Sequence, residues 1–332
     1  MENLLEITIN FQPESENVQP IRSLFYQTFG PSIGEAPIIV VNHALTGNSN
    51  VSGENGWWND LIGENKIIDT NHFTIIAFNI PGNGFDGNPE NLIHDYKEFK
   101  IRDIAQAFWS GLSALKIHKV FAVIGGSLGG AIAWGMAVLH PTKIQNLIPV
   151  ATDWKATDWV IANVLIQDQI LNNSDDPIAD ARLHAMLLYR TPQSINQRFQ
   201  RNTYENGDFH IEKWLSNHGV KLKNRFRLSA YKLMNHLLKT NDITRNRSNF
   251  DVIVQSIKSN IHLISVDTDY FFTADETLET FHKINSVKSN VFHHEIKSIH
   301  GHDAFLIEYE QLTKILKPIF QTIKQSQCQN AL

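Results

Sequence analysis

The residues best suited to covalent chemistry lie in Gly125-Gly126-Ser127-Leu128-Gly129, which matches the pattern G-x-S-x-G. A serine hydroxyl is a weak nucleophile until a neighbouring base takes its proton, and that base needs an acid to orient it. The pattern alone is common. Here it follows the apolar run Val120-Phe121-Ala122-Val123-Ile124 and precedes the helix-like Ala131-Ile132-Ala133-Trp134-Gly135-Met136-Ala137. Ser127 thus falls on a strand-to-helix turn, the context in which such a serine projects its hydroxyl. Side chains at the flanking glycines would collide with neighbouring elements, and the helix N-terminus favours a developing negative charge. A phosphate-binding turn is the competing reading, but neither P-loop spacing nor G-x-G-x-x-G is present.

The partners of such a serine are expected downstream, the acid at the end of a late strand and the histidine in a loop after the next one. Ile261 to Val266 reads as that late strand and runs directly into Asp267-Thr268-Asp269. Ser298-Ile299-His300-Gly301-His302-Asp303 follows the last strand-like segment and precedes the last helical one. Position alone leaves two acids, Asp267 and Asp269, and two bases, His300 and His302. With 15 histidines in the chain, any one is by default a solvated or hydrogen-bonded residue, and His293 and His294 fit that description inside a strand. The His-Gly-His spacing suggests a metal, yet no second cluster at ligand spacing accompanies it, so no metal is expected.

The elements around these residues imply how they are held. Ile7 to Phe11 alternates like a strand, and Ile21 to Phe29 is its expected partner. Ile38 to Val41, Phe73 to Phe78, Val120 to Ile124 and Leu147 to Ala151 are short apolar runs typical of strands buried on both faces. Between them, Ile101, Ile104, Ala105, Phe108, Leu112 and Leu115 recur at helical spacing. Alternating strands and helices imply a parallel sheet with right-handed crossovers. From Thr152 to Asn249 the alternation stops and helix-like segments take over, at 159–171, 179–189 and 228–238. Strands then return at 261–266 and 291–296, and a closing helix is expected over 304–320. The fold class expected is α/β, an α/β-hydrolase arrangement in which residues 1–151 and 250–332 form the core and 152–249 an inserted helical cap.

The composition suits a globular protein, 42% hydrophobic and 19% charged over 332 residues. A net charge of -5 with no basic block gives no electrostatic footprint for nucleic acid or an anionic membrane. No apolar run of about 18 residues is present to span a bilayer. The first residues lack the features of a secretory signal, and the single Cys328 lies in a polar tail and forms no internal disulfide. A cytoplasmic location is expected.

With these pieces assembled, the sequence resembles the homoserine O-acetyltransferase family of α/β-hydrolases. Asn42-His43-Ala44-Leu45-Thr46-Gly47 is similar to that family's H-A-L-T-G oxyanion segment. Gly125 to Gly130 resembles its G-G-S-M-G-G elbow, with Leu128 where methionine is usual. Ala181-Arg182, Leu188-Tyr189-Arg190-Thr191 and Arg198-Phe199-Gln200-Arg201 are similar to its cap, and Gly301-His302-Asp303-Ala304-Phe305-Leu306 to its G-H-D-A-F-L motif. Asp269 rather than Asp267 aligns with the family's acid, and His302 rather than His300 fills the G-H-D slot. The chain departs from the family at Asn79 to Pro89, where G-G-C-x-G-S-T-G-P is usual. It is also shorter between Ile170 and Ala179, and Arg227-Leu228 replaces an acidic and a small residue.

The resemblance implies a ping-pong acetyl transfer from acetyl-CoA, a co-substrate and not a bound cofactor, to L-homoserine in methionine biosynthesis. Ser127 would be the nucleophile, with His302 its base, Asp269 the orienting acid and the Leu45 and Leu128 backbone N–H groups the oxyanion donors. Arg182 would hold the acceptor's carboxylate and Asp303 its ammonium, and a homodimer is implied. From the residues alone, Arg182 could simply tie cap to core, and Asp303 could cap a helix starting at Ala304. An esterase or thioesterase using the same triad is the alternative activity, as is transfer to L-serine or from succinyl-CoA. Trp57 and Trp58 could line an acyl channel, although adjacent tryptophans after a glycine more often anchor a loop.

Overall fold

The computed structural model describes residues 3–329, with the side chains of 322–329 left aside, so Cys328 lies outside the described side chains. In chain order the elements begin with β1 (Leu5–Phe11), β2 (Ile21–Phe29), β3 (Ile38–Asn42), the short β4 (Ile62–Gly63) and β5 (Ile68–Asp69), and β6 (Thr74–Phe78). They continue with α1 (Ile101–Ala114), β7 (Val120–Gly126), α2 (Leu128–Leu139) and β8 (Ile144–Val150). Six helices follow, α3 (Asp158–Asn173), α4 (Pro177–Tyr189), α5 (Pro192–Phe199), α6 (His210–Arg225), α7 (Leu228–Lys239) and α8 (Phe250–Ser256). The chain closes with β9 (Asn260–Val266), α9 (Ala274–Val287), β10 (Val291–Ile296) and α10 (Tyr309–Gln329).

Eight strands form one sheet in the order β1-β2-β6-β3-β7-β8-β9-β10. β1 and β2 pair antiparallel, as do β2 and β6, and every later pairing is parallel. The continuous apolar runs are explained by helices on both faces. Val40, Ile76 and Val123 point into a cluster with α1 and α2, while Ile39, Val41, Ile75, Ala122 and Ile124 point into a second with α10. Neither face of a central strand meets water, so neither position in the pleat needs a polar residue.

The sheet and its order of elements agree with the expected α/β-hydrolase class. Helices α5, α6 and α8 are additional to the expected segments, and three further differences stand out. The strand expected at 147–151 begins earlier, at Ile144. Helix α9 is an addition to the expected elements; Thr273 caps it by accepting from Glu276 N–H, and its buried face carries Thr277 and Thr280, which blurs the apolar periodicity. The closing helix does not start at Ala304, because Gly301–Leu306 forms a 3-10 turn and α10 begins at Tyr309. Asp303 therefore lies inside a turn and caps no helix.

Candidate active site

Ser127 sits between β7 and α2 with φ 54° and ψ −121°, a left-handed conformation that costs a non-glycine residue on the order of 1–3 kcal/mol. Its N–H donates to Val150 O on the adjacent strand (2.8 Å), and its carbonyl accepts from Gly130 and Ala131 N–H in the first turn of α2. The glycines permit close approach. A Cβ on Gly126 would lie 2.4 Å from the Phe305 ring, and one on Gly129 would lie 2.2 Å from Asn42 O. Ser127 makes no capping bond to its own helix, which leaves the hydroxyl available to a base.

The two open choices are separated by geometry. His302 Nδ1 lies 2.6 Å from Asp269 Oδ2, and both side chains are almost completely buried. Asp269 Oδ1 accepts from Phe271 N–H (2.7 Å) and Phe272 N–H (3.0 Å), so the carboxylate is fixed by the backbone before it meets the histidine. With Nδ1 engaged, Nε2 is the nitrogen left to take a hydroxyl proton. Rings of Tyr189, Phe271, Phe272 and Phe305 surround His302 at centroid distances of 5.4–5.8 Å. Phe305 bridges His302 to Gly126 beside the serine. No Ser127–His302 hydrogen bond is formed in this arrangement, and such contacts commonly tighten only in the reacting complex.

The alternatives serve the scaffold. Asp267 accepts from Ser298 N–H (2.9 Å) and faces Lys297. His300 Nδ1 lies 2.8 Å from Ser194 Oγ and 3.3 Å from Arg190. His293 Nε2 pairs with Ser265 Oγ at 3.0 Å. Trp58 donates from Nε1 to Phe305 O (3.1 Å), and Trp57 donates to Asn48 O (2.9 Å), so both anchor loops.

Leu128 is the first residue of α2, and its N–H has no intrahelical acceptor. Leu45 follows β3, whose end runs parallel to β7 with Asn42 opposite Gly125. Its N–H donates to no group among the described residues. His43 is buried and hydrogen-bonded through both ring nitrogens, and burial depresses its pKa to about 4.

Above the strand ends, Arg182 of α4 lies over the Tyr189 ring (5.6 Å to the centroid), and that ring packs on His302. Among the described residues Arg182 has no acidic partner, nor does Arg225, which donates to Thr46 O (2.8 Å). Asp303 is held by Arg190 Nε (2.9 Å) through Oδ2 alone. Leu45, Asn163, Gln167, Tyr189, Tyr231 and Phe271 line a small pocket beside these groups. His43 and Arg190 carry no role in the sequence reading, although His43 stands inside the H-A-L-T-G segment. Arg190 was invisible because its partner, Asp303, is 113 residues away. Among the described residues, no three His, Cys, Asp or Glu side chains gather as a metal site. No helix there is long and apolar enough to cross a membrane.

A strained elbow serine followed by the unengaged Leu128 N–H, and a carboxylate-fixed histidine joined to that elbow through Phe305, are suited to acyl transfer or acyl hydrolysis. Residues 37–195 match the family model for the alpha/beta hydrolase fold. A homoserine O-acetyltransferase of Cyclobacterium marinum is 36% identical over 307 residues, covering 85% of this chain and 84% of that one. The homoserine O-acetyltransferase of Moorella thermoacetica is 28% identical, covering 91% of each. Among solved structures, homoserine O-acetyltransferase from Bacillus anthracis superposes with a TM-score of 0.84 at 19% identity, covering 96% of this chain and 98% of that one. Esterase E22 superposes equally well, 0.84 at 17% identity over 96% and 99%. Structural likeness thus gives the fold, whereas the sequence relatives give the family. The chain is an enzyme belonging to the homoserine O-acetyltransferase family of the alpha/beta hydrolase fold.

Proposed function

We propose that the enzyme transfers an acetyl group from acetyl-CoA to the hydroxyl of L-homoserine through an acetyl-Ser127 intermediate, a step of methionine biosynthesis. The buried Asp269–His302 pair is the observation that carries this reading. His302 takes the Ser127 proton as the hydroxyl attacks the thioester, and Asp269 stabilises the imidazolium that forms. The oxyanion is received by the N–H groups of Leu45 and Leu128, each worth about 2.7–4 kcal/mol in comparable sites. His302 then protonates the departing thiolate; the acceptor hydroxyl, deprotonated by the same nitrogen, attacks the acetyl-serine, and His302 returns that proton to Ser127 as O-acetylhomoserine leaves.

Two charged side chains favour an amino acid over water as acceptor. Arg182 has no acid of its own and is suited to a carboxylate. Asp303 keeps one oxygen uncommitted for an ammonium group, while Arg190 holds the other. The esterase reading shares the first half-reaction and differs only in what attacks the acyl-enzyme. A homodimer completes the proposal, since Trp159, Leu165 and Ile166 of α3 and Leu187 of α4 are about half exposed; light scattering giving a monomer mass would refute it. The intermediate is tested by quenching the enzyme with acetyl-CoA and mapping peptides by mass. The peptide carrying Ser127 is expected to gain one acetyl group, and an unmodified Ser127 peptide would rule out the covalent route.

A further inference from the structure

Beneath the candidate oxyanion site lies a buried polar chain that the reaction scheme leaves unused. His43 is 1% exposed and held at both ring nitrogens. Nδ1 lies 2.8 Å from Ala44 O, and Nε2 accepts from Ile80 N–H at 3.0 Å. The second contact forces the tautomer, because a backbone N–H can only donate and Nε2 must then be unprotonated. Nδ1 therefore carries the hydrogen and donates it to Ala44 O. That carbonyl also accepts from Gly47 N–H at 2.9 Å.

The consequence follows from peptide geometry. Ala44 C=O and Leu45 N–H belong to one planar trans peptide, so they point to opposite sides. Fixing the carbonyl with two donors fixes the direction of the Leu45 N–H, which donates to nothing among the described residues. The ring is fixed in turn. Asn83 Nδ2 lies 3.3 Å from the same Nε2 and donates to Asn79 Oδ1 (3.0 Å). Asn79 also accepts from Ser49 N–H (2.9 Å) and donates to Ser49 Oγ (2.9 Å), which donates to Gln27 on β2 (2.7 Å). Asn79 and Asn83 belong to the segment where this chain departs from its relatives' usual loop.

We infer that His43 is a positioning residue that sets the Leu45 N–H for the oxyanion, and that Asn79 and Asn83 hold the ring in the orientation this requires. The inference rests on the acetyl-serine reading above. It predicts an asymmetry between two isosteres. Asparagine at position 43 places an amide donor near where Nδ1 lies, whereas glutamine places its amide near Nε2. His43→Asn is expected to keep the rate of Ser127 acylation within about threefold of wild type. His43→Gln is expected to lose about 10–100-fold in that rate with KM within twofold, a part of the 10²–10³ that deleting an oxyanion donor costs.

Acylation is measured with p-nitrophenyl acetate, which needs no natural donor or acceptor, after thermal melts have shown that the variants fold. Equal losses in the two variants, or a His43→Gln enzyme as fast as wild type, would overturn the positioning role while Ser127→Ala stays inert. Acylation persisting in Ser127→Ala would instead defeat the acetyl-serine reading and this inference with it. If His43→Gln does not fold, Asn83→Ala removes the next link, and a kcat loss of about threefold to tenfold at constant KM is expected; an unchanged kcat would count against the buttress.

Discussion

The central strands of the sheet bury apolar runs, whereas the inserted helices bury polar residues among the apolar ones and leave some apolar residues exposed. In β3 and β7, Ile39, Val40, Val41 and Val123 are wholly inaccessible, and the strand ends deliver Asn42 and Ser127 to one rim. In α3 the burial is mixed: Asn163 and Gln167 are buried beside Val160, Val164 and Leu171, whereas Leu165 and Ile166 are about half exposed. Gln167 donates to Ala181 O on α4 (3.1 Å), and Asn235 of α7 donates to Val164 O (3.0 Å), so polar side chains tie these helices together. On the proposed reading, the sheet is the frame for the nucleophile, its base and the oxyanion donors. The inserted helices bury an apolar face, add buried polar ties to it, and leave Leu165, Ile166 and Leu187 outward. Chemistry, on the proposed reading, belongs to the first region and choice of acceptor to the second.

This division can be broken by mutation, beginning where the effect is largest. Asp269→Asn keeps the size of the side chain but no longer stabilises the histidine in the required tautomer and charge. Acylation by acetyl-CoA is expected to fall about 10⁴-fold, as in comparable triads, with little change in KM. A fall below about tenfold in stopped-flow acylation would remove Asp269 from the machinery.

Arg182→Ala sharpens the other half of the comparison. Losing a charge-assisted contact of about 1.5–3 kcal/mol should raise the KM for L-homoserine roughly 10–100-fold. The acylation half-reaction should be unaffected, because the guanidinium acts only on the acceptor. A matching loss in acylation would place Arg182 in the frame instead.

The smallest effect is on stability, at the junction of the two regions. Asp153 is buried just after β8, accepts from Trp154 N–H (2.7 Å) and receives the Thr280 hydroxyl on both oxygens (2.9 Å). Burial pushes its carboxyl up to about 7, against the lowering pull of those hydrogen bonds. In the unfolded chain the group ionises near 4, so between about pH 4 and 7 the folded state binds more protons. Its contribution is therefore complete below about pH 4 and is lost as the pH rises to about 7. Asp153→Asn should remove this component, so that its melting temperature changes less than wild type over that window. An identical pH slope in the two proteins would refute the assignment.

What could be read beforehand follows the same division. The strands were legible because burial on both faces forces unbroken apolar runs, and the elbow because only glycine tolerates contacts such as Gly126 against Phe305. Position left Asp267 and Asp269 equal, since both end β9. What separates them is that Asp269 turns back to its own strand, Asp269 N–H donating to Val266 O, and meets His302, a tertiary fact with no local signature. Among the inserted helices α3, α4 and α7 were legible, whereas α5 and α6 were not, because they bury little apolar surface, only Ser194 in α5 and Gly219 and Leu222 in α6. The pairing of Arg190 with Asp303 and the closure of His43 on Ile80 span 113 and 37 residues. No periodicity reports such contacts.

The central claim is that an amino-acid hydroxyl, and not water, resolves the acetyl-serine. Release of free coenzyme A thiol from acetyl-CoA, followed with and without L-homoserine for wild type and Ser127→Ala, tests it most directly. Turnover is expected only when homoserine is present, limited to a single burst without it, and absent from the variant. Continuous thiol release by wild type at the same rate without any amino acid would contradict the account and mark the enzyme as a hydrolase.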